Sequence, residues 1–190
     1  MDIILFAWDG ERLKTLIIQR KNPPFQGQWA FPGGFIELNE LLIESATREM
    51  AEETSVELET DELIQFYTAG DPGRDPRGRT ISVCYFAFKR LDELSPKAAD
   101  DAQSLAWFDV YEPPPLAFDH QFILEKAIES LRDYFLLKPE SVIPKLITEK
   151  ITMENLHNLL QTIFYNYPDI NKIQKILLDH NILKFVGKNE

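Results

Sequence analysis

Gly33-Gly34-Phe35-Ile36-Glu37-Leu38-Asn39-Glu40-Leu41-Leu42-Ile43-Glu44-Ser45-Ala46-Thr47-Arg48-Glu49-Met50-Ala51-Glu52-Glu53-Thr54-Ser55-Val56 is the stretch that decides the fold. From Leu41 to Glu53 it has neither Pro nor Gly, and Leu42, Ala46 and Met50 recur at i, i+4 and i+8. That spacing predicts a helix with an apolar stripe, and Asn39 is placed to cap its start. Glu49, Glu52 and Glu53 stand at i, i+3 and i+4, an arc of roughly 100° on one helix face. Three carboxylates so close repel one another. A divalent cation removes that cost, because carboxylate oxygens are hard ligands that hold Mg²⁺ beside waters and substrate phosphates. The competing reading is a solvated acidic face. The arc overlaps the apolar stripe, which places the carboxylates at the edge of the buried side, where unpaired charge is costly.

Strand-like runs surround this helix. Ile3 to Trp8, the turn dipeptide Asp9-Gly10 and Leu13 to Ile18 read as a hairpin. Trp29 to Phe35 is a short apolar run that must bend or end at Pro32 and Gly33-Gly34. Leu63 to Ala69, Thr80 to Phe88 and Leu105 to Val110 are rich in aromatic and β-branched residues and read as further strands. After Pro113-Pro114-Pro115, Asp119 to Leu136 is a second amphipathic helix, with Phe122, Ile123, Ala127, Ile128 and Leu131 on its apolar side. Strands with one helix in the middle and one near the end predict an α/β sandwich rather than an all-β barrel.

From about Ser141 the composition shifts. Glycine nearly vanishes, and Leu156, Leu159, Leu160, Ile163 and Phe164 take helical spacing. Tyr167-Pro168-Asp169 breaks the run, with Asp169 a cap for a second helix through Ile173, Ile176 and Leu177. The expected division is a main domain over residues 1–140 and a small helical appendage over residues 141–190. The appendage holds six lysines and five acidic residues, so of the chain's net charge of −11 the main domain carries −12.

The whole chain has 190 residues, 44% apolar and 27% charged, a balance that excludes disordered and fibrous classes. Its acidity argues against general attraction to nucleic acid or an anionic membrane. A lone cysteine, Cys84, fits a reducing compartment. There is no stretch of 18 uncharged apolar residues and no basic, small-residue leader, so a cytoplasmic protein without membrane association is expected.

Gly34, five residues, Glu40, seven residues and then Arg48-Glu49-Met50-Ala51-Glu52-Glu53-Thr54-Ser55-Val56 resembles the Nudix box. One fixed position departs: Ser55 stands where the family has glycine, at the helix exit, where a left-handed cap favours glycine. Gln28 to Phe35, Asp71 to Arg79 and Leu116 to His120 resemble flanking stretches of the ADP-ribose pyrophosphatase-like branch, so the likeness covers residues 1–136. It implies a Nudix α/β/α sandwich with a mixed sheet. It also implies metal-dependent hydrolysis of a nucleoside diphosphate linked to another group, with ADP-ribose giving AMP and ribose 5-phosphate. The implied metal is Mg²⁺, with Mn²⁺ as substitute, held by Glu49, Glu52, Glu53 and Gly33. Arg48 joins the glutamates in the catalytic set as the residue that orients a box carboxylate, and Glu44, Arg48 and Glu52 form an i, i+4, i+8 row suited to this. Glu40 either completes the ligand set or serves the loop. A homodimer is also implied, with the first strands as the expected contact.

Candidate substrate contacts are Arg20, Arg74, Arg77, Arg79, His120 and Gly34. Three of the arginines cluster in a Gly/Pro-rich loop of an acidic domain, a natural place for phosphate. A solvated loop is the alternative, with Arg79 the leading exception because it abuts a strand. His120 reads equally as a helix-start cap or a substrate contact, while His157 and His180 read as ordinary residues. Asp100 and Asp101 are candidates for the base, against a plain polar turn. The segment from Ile151 to Val186, with a short strand at its end, is weakly similar to the winged helix of Nudix-related transcriptional regulators. That likeness carries the alternative function, an ADP-ribose-sensing regulator whose appendage binds DNA. DNA is the less favoured partner, since the second appendage helix offers only Lys172 and Lys175; a helical buttress or dimer contact is favoured over it. A continuous basic face on that helix would revive the regulator.

Overall fold

A computed structural model describes residues 1–99, 101–147, 151–165, 169–179 and 182–183. Strands β1 (Asp2–Trp8) and β2 (Leu13–Arg20) form the expected antiparallel hairpin, with Phe6 opposite Thr15 and Trp8 opposite Leu13. The Asp9 carboxylate stabilises the turn by accepting the Glu11 and Arg12 N–H groups at 2.9 and 2.7 Å. β3 (Trp29–Ala30), β4 (Ile64–Ala69), β5 (Ser82–Phe88) and β6 (Ala102–Asp109) complete one sheet. β1 pairs in parallel with β5, and the other pairings are antiparallel: β4 with β5, and β3 and β6 with β2. The sheet is therefore mixed.

β1 is central and buried along its whole length, so its side chains feed two cores in alternation. Ile3 and Leu5 pack with Leu16, Ala46, Met50, Tyr85 and Ala87 beneath α1 (Leu42–Thr54). Ile4, Phe6 and Trp8 pack with Phe86, Phe88, Ile123, Leu131 and Phe135 on the opposite face, under α2 (His120–Leu137). Cys84 lies in this second core, and burial pushes its thiol up to about 12. β1 and β2 both have neighbours on two edges, so neither presents a free strand edge.

Several boundaries differ from expectation for local reasons. The run from Trp29 to Phe35 is a strand only at Trp29 and Ala30, and the chain turns into a loop at Pro32 and Gly33. Asn39 does not cap α1. The helix starts after Leu41, and Glu44 reaches back one turn to accept the Leu41 N–H at 2.8 Å. Ser55 ends the same helix in the left-handed conformation, at φ 58°. A non-glycine residue there stores about 1 kcal/mol, so Ser55→Gly is expected to raise unfolding stability by about that amount in urea titration.

The division expected between residues 140 and 141 falls inside a helix. α3 (Pro139–Leu146) starts on Pro139, so residue 140 lies in its first turn. Its Val142, Ile143 and Leu146 join the core above β1 and β5. α4 (Met153–Ile163) is capped by Thr152 Oγ1, which accepts the Asn155 N–H at 3.0 Å. α5 (Ile170–Asp179) starts as expected at Asp169, whose carboxylate accepts the Lys172 N–H at 3.1 Å. The Tyr167-Pro168 break, His180 and most of the expected strand from Ile182 to Val186 lie outside the described residues.

The C-terminal end of α4 is fastened to the main domain. The Tyr111 hydroxyl donates to the Thr162 carbonyl at 2.5 Å, and Arg132 Nε donates to the Ile163 carbonyl at 2.8 Å. These satisfy carbonyls that the helix itself leaves unpaired, and a cation suits that end of the helix dipole. Arg132→Leu is expected to cost about 1.5–3 kcal/mol, the range for hydrogen bonds to a charged group, read as a lower urea midpoint.

Candidate functional site

α1 lays Arg48, Glu49, Glu52 and Glu53 along one wall of a cleft of about 300 Å³ that Gly33, Gly34, Arg20, Arg77 and Asp101 also line. Arg48 organises this wall. Its Nε and Nη2 make a two-point contact with the Glu40 carboxylate at 3.0 and 2.7 Å, and its Nη1 bonds Glu49 and Glu52 at 3.0 and 2.9 Å. Nη2 also reaches the Phe35 carbonyl at 3.1 Å. Glu40 therefore serves the loop, accepting the Glu37 N–H at 2.7 Å besides Arg48. The Glu44–Arg48–Glu52 row forms only in its second half, because Glu44 is turned toward Leu41.

Glu53 is 6% exposed, and one of its oxygens accepts the Gly33 N–H at 2.9 Å. Burial pushes its carboxyl up to about 8, aided by the Glu49 and Asp101 carboxylates and opposed by the Gly33 bond. Burial also raises Glu49, against the pull of Arg48. Gly34 rests directly on Glu49: a Cβ at Gly34 would collide with its carboxylate. Among the described residues no three His, Cys, Asp or Glu side chains form a ready metal-binding group. The donor set nonetheless fits a hard divalent cation in kind. The donors are carboxylate oxygens, and a cation would offset the crowded, desolvated charge at Glu53.

The cleft continues past Gly33 and Gly34 into a second recess lined by Asp2, Phe31, Phe35, Arg74, Asp75, Arg77, Phe118 and His120. Arg20 and Arg77 belong to both parts. Arg74 lines the recess, but its guanidinium is tied to Asp119 at 2.7 and 2.8 Å and to Asp2 at 3.2 Å, which makes it a brace rather than an open ligand contact. His120 is likewise engaged in the wall. Its Nδ1 accepts the Phe31 N–H at 2.9 Å and its Nε2 lies 3.3 Å from Asp2, so its contacts are structural. Arg79 lines neither part and donates to the Gly70 carbonyl. Asp101 faces the glutamates and accepts Asn22 Nδ2 at 2.9 Å, whereas Asp100 lies outside the described residues.

Sequence reasoning missed Phe35 and Phe118 in the cleft and the carboxylates that hold the arginines: Asp75 for Arg77, and Asp2 and Asp119 for Arg74. For Phe118 the signal was its place in the stretch from Leu116 to His120.

Residues 2–131 match the NUDIX domain, and the chain belongs to that family. It is 43% identical over 112 residues to an ADP-ribose pyrophosphatase of Methanocaldococcus jannaschii, covering 59% of this chain and 64% of that protein. It is 29% identical over 190 residues to an ADPR responsive transcriptional repressor, NtrR, of Acinetobacter baylyi, covering 97% of this chain and 68% of the relative. Among solved structures, a MutT/nudix family protein from Enterococcus faecalis superposes with a TM-score of 0.82 at 28% identity, over 98% of this chain and 82% of that one. Shewanella oneidensis NrtR complexed with a 27mer DNA gives 0.71 at 26% identity, over 100% of this chain and 88% of the other. The mixed α/β fold with a C-terminal helical region is thus shared with NrtR and with the MutT/nudix family protein.

Proposed function

We propose that this chain is a divalent-metal-dependent Nudix hydrolase that splits ADP-ribose into AMP and ribose 5-phosphate. The observation that carries the reading is the α1 wall, where Arg48 holds Glu49 and Glu52 beside the buried Glu53. The likeness to an ADP-ribose pyrophosphatase supports the substrate class. Glu49, Glu52 and Glu53, with the Gly33 backbone, would hold Mg²⁺ or Mn²⁺. That ion would neutralise diphosphate charge and supply a hydroxide nucleophile at neutral pH. Arg48 positions the carboxylates, Arg20 and Arg77 bind the diphosphate, and Asp101 is the candidate base at the cleft mouth. The acidic wall, Arg20 and Arg77 line one cleft, which would orient substrate before reaction. Cytoplasmic residence and association as a homodimer belong to the same proposal; among the described residues no helix is long and apolar enough to cross a membrane. Steady-state turnover of ADP-ribose against a panel of other nucleoside diphosphate compounds tests it, with ADP-ribose expected to show the highest kcat/KM. Equal rates across the panel would reject the substrate assignment.

A second reading has its own support, because the C-terminal helices are included in the match to a DNA-bound regulator. On this reading the Nudix domain senses ADP-ribose and the appendage holds DNA. The exposed residues of α5 are Asn171, Lys172, Lys175, Ile176 and Asp179, which is not a continuous basic face. Electrophoretic mobility shift on DNA with and without ADP-ribose separates the readings. Sequence-specific binding released by ADP-ribose supports the regulator.

A further inference from the structure

Four side chains in the cleft form an alternating stack. The Arg20 guanidinium lies 4.9 Å from the Phe118 ring centre, Arg77 lies 5.7 Å from the same ring, and Arg77 also lies 5.1 Å from the Phe35 ring. The order is thus Arg20, Phe118, Arg77, Phe35. It lies where the recess and the acidic part of the cleft join, since Arg20, Arg77 and Phe35 line both and Phe118 lines the recess. We infer that Phe118 is a positioning residue for substrate, a ring that holds the Arg20 and Arg77 guanidiniums together so that both can take the oxygens of one diphosphate.

Three observations carry this. First, two like charges in one cleft repel, and Arg20 is lowered from its ordinary value by burial and then by Arg77. A ring's electron-rich face attracts a guanidinium and offsets that repulsion on both sides. Second, Phe118 has a left-handed backbone, φ 55°, and so does Phe25 at φ 59°, whose ring packs edge-on against Phe118 at 4.7 Å. Bulky side chains at such angles are costly, and strain of this kind persists where the surroundings hold a side chain in place. Third, the arginines keep donors open. Arg20 bonds through Nε and Nη2 to the Pro24 and Asn22 carbonyls, and Arg77 through Nε and Nη2 to Asp75. Neither Nη1 has a hydrogen-bond partner among the described residues. Each guanidinium is anchored on one side and free on the other, a geometry suited to bridging phosphate oxygens.

The inference rests on the diphosphate reading above, so its test uses two probes. Binding of ADP-ribose and of inorganic pyrophosphate to the full chain is measured by calorimetry with a chelator present, so that turnover does not intervene. Phe118→Leu keeps apolar bulk and removes the ring face. Both affinities are expected to fall about tenfold, and Phe118→Tyr is expected to restore them. In turnover assays KM should rise by a similar factor while kcat changes by less than about threefold. Should Phe118→Leu fail to fold, Phe35→Leu serves instead: Phe35 is 64% exposed, and its loss should weaken both ligands about threefold. Unchanged affinities in a folded Phe118→Leu protein, with ADP-ribose still bound, overturn the positioning role and leave the function standing. Loss confined to pyrophosphate, with no ADP-ribose binding by the native chain, sustains the positioning role and removes the ADP-ribose assignment. Binding of neither probe by the native chain removes both.

Discussion

In the Glu53→Gln variant, ADP-ribose hydrolysis should fall by about 10²–10⁴-fold while ADP-ribose binding persists. Glu53 sits at the end of α1, 6% exposed, with one oxygen on the Gly33 N–H. Glutamine has nearly the same shape, and its carbonyl can still accept that bond, so the cleft wall survives the change. The negative charge that a cation or a proton-transfer step needs does not survive. Stability should move the other way or not at all. Burial makes ionisation of this carboxyl unfavourable, so a neutral amide relieves a cost that the native side chain carries. Kinetics and thermal unfolding on the same preparation give both signs. A variant that lost activity only in proportion to lost folded protein would show Glu53 to be structural.

Arg74→Met is expected to destabilise the fold by about 3–5 kcal/mol, the cost of orphaning buried charge. Arg74 is 8% exposed at its side chain and is shared between Asp2 at the start of β1 and Asp119 at the start of α2. Methionine fills the volume, takes the cation from Asp119 and removes one of the partners of Asp2. The effect has a pH signature. Burial works to raise the Asp2 carboxyl, yet His120 holds it well below the usual carboxylate range. A carboxyl lowered in the folded state contributes stability above its unfolded pKa and loses it as pH falls through its folded one. Native stability should therefore drop on acidification below about pH 4. The variant's deficit should narrow over the same range, because a protonated Asp2 no longer gains from the Arg74 cation. Urea midpoints of both proteins from pH 7 to pH 3 check this, and a deficit that widened on acidification would count against it.

The box was legible because its residues act at fixed spacing within one helix: Arg48 meets Glu52 one turn on, and Glu49 and Glu53 share the face beside Met50. The hairpin from Ile3 to Ile18 was legible for the same reason, since Asp9-Gly10 and the apolar runs are local signals. What escaped depends on contacts between distant segments. The arginine loop looked open in sequence, but Asp119, 45 residues away, takes Arg74. The wall histidine found Phe31 across 89 residues. α3 carries Pro139 and Pro144, residues that mask a helix in sequence, yet proline suits a first helical turn and tertiary packing of Val142, Ile143 and Leu146 supports the rest. The left-handed backbone of Phe118 has no sequence signature at all.

The most direct test of the central claim is product analysis after ADP-ribose is incubated with the native chain and Mg²⁺, beside the same reaction with a chelator and with the Glu53→Gln protein. The account requires AMP and ribose 5-phosphate in equal amounts from the native chain with metal alone. Intact ADP-ribose bound tightly and never cleaved would contradict it and make the chain a sensor.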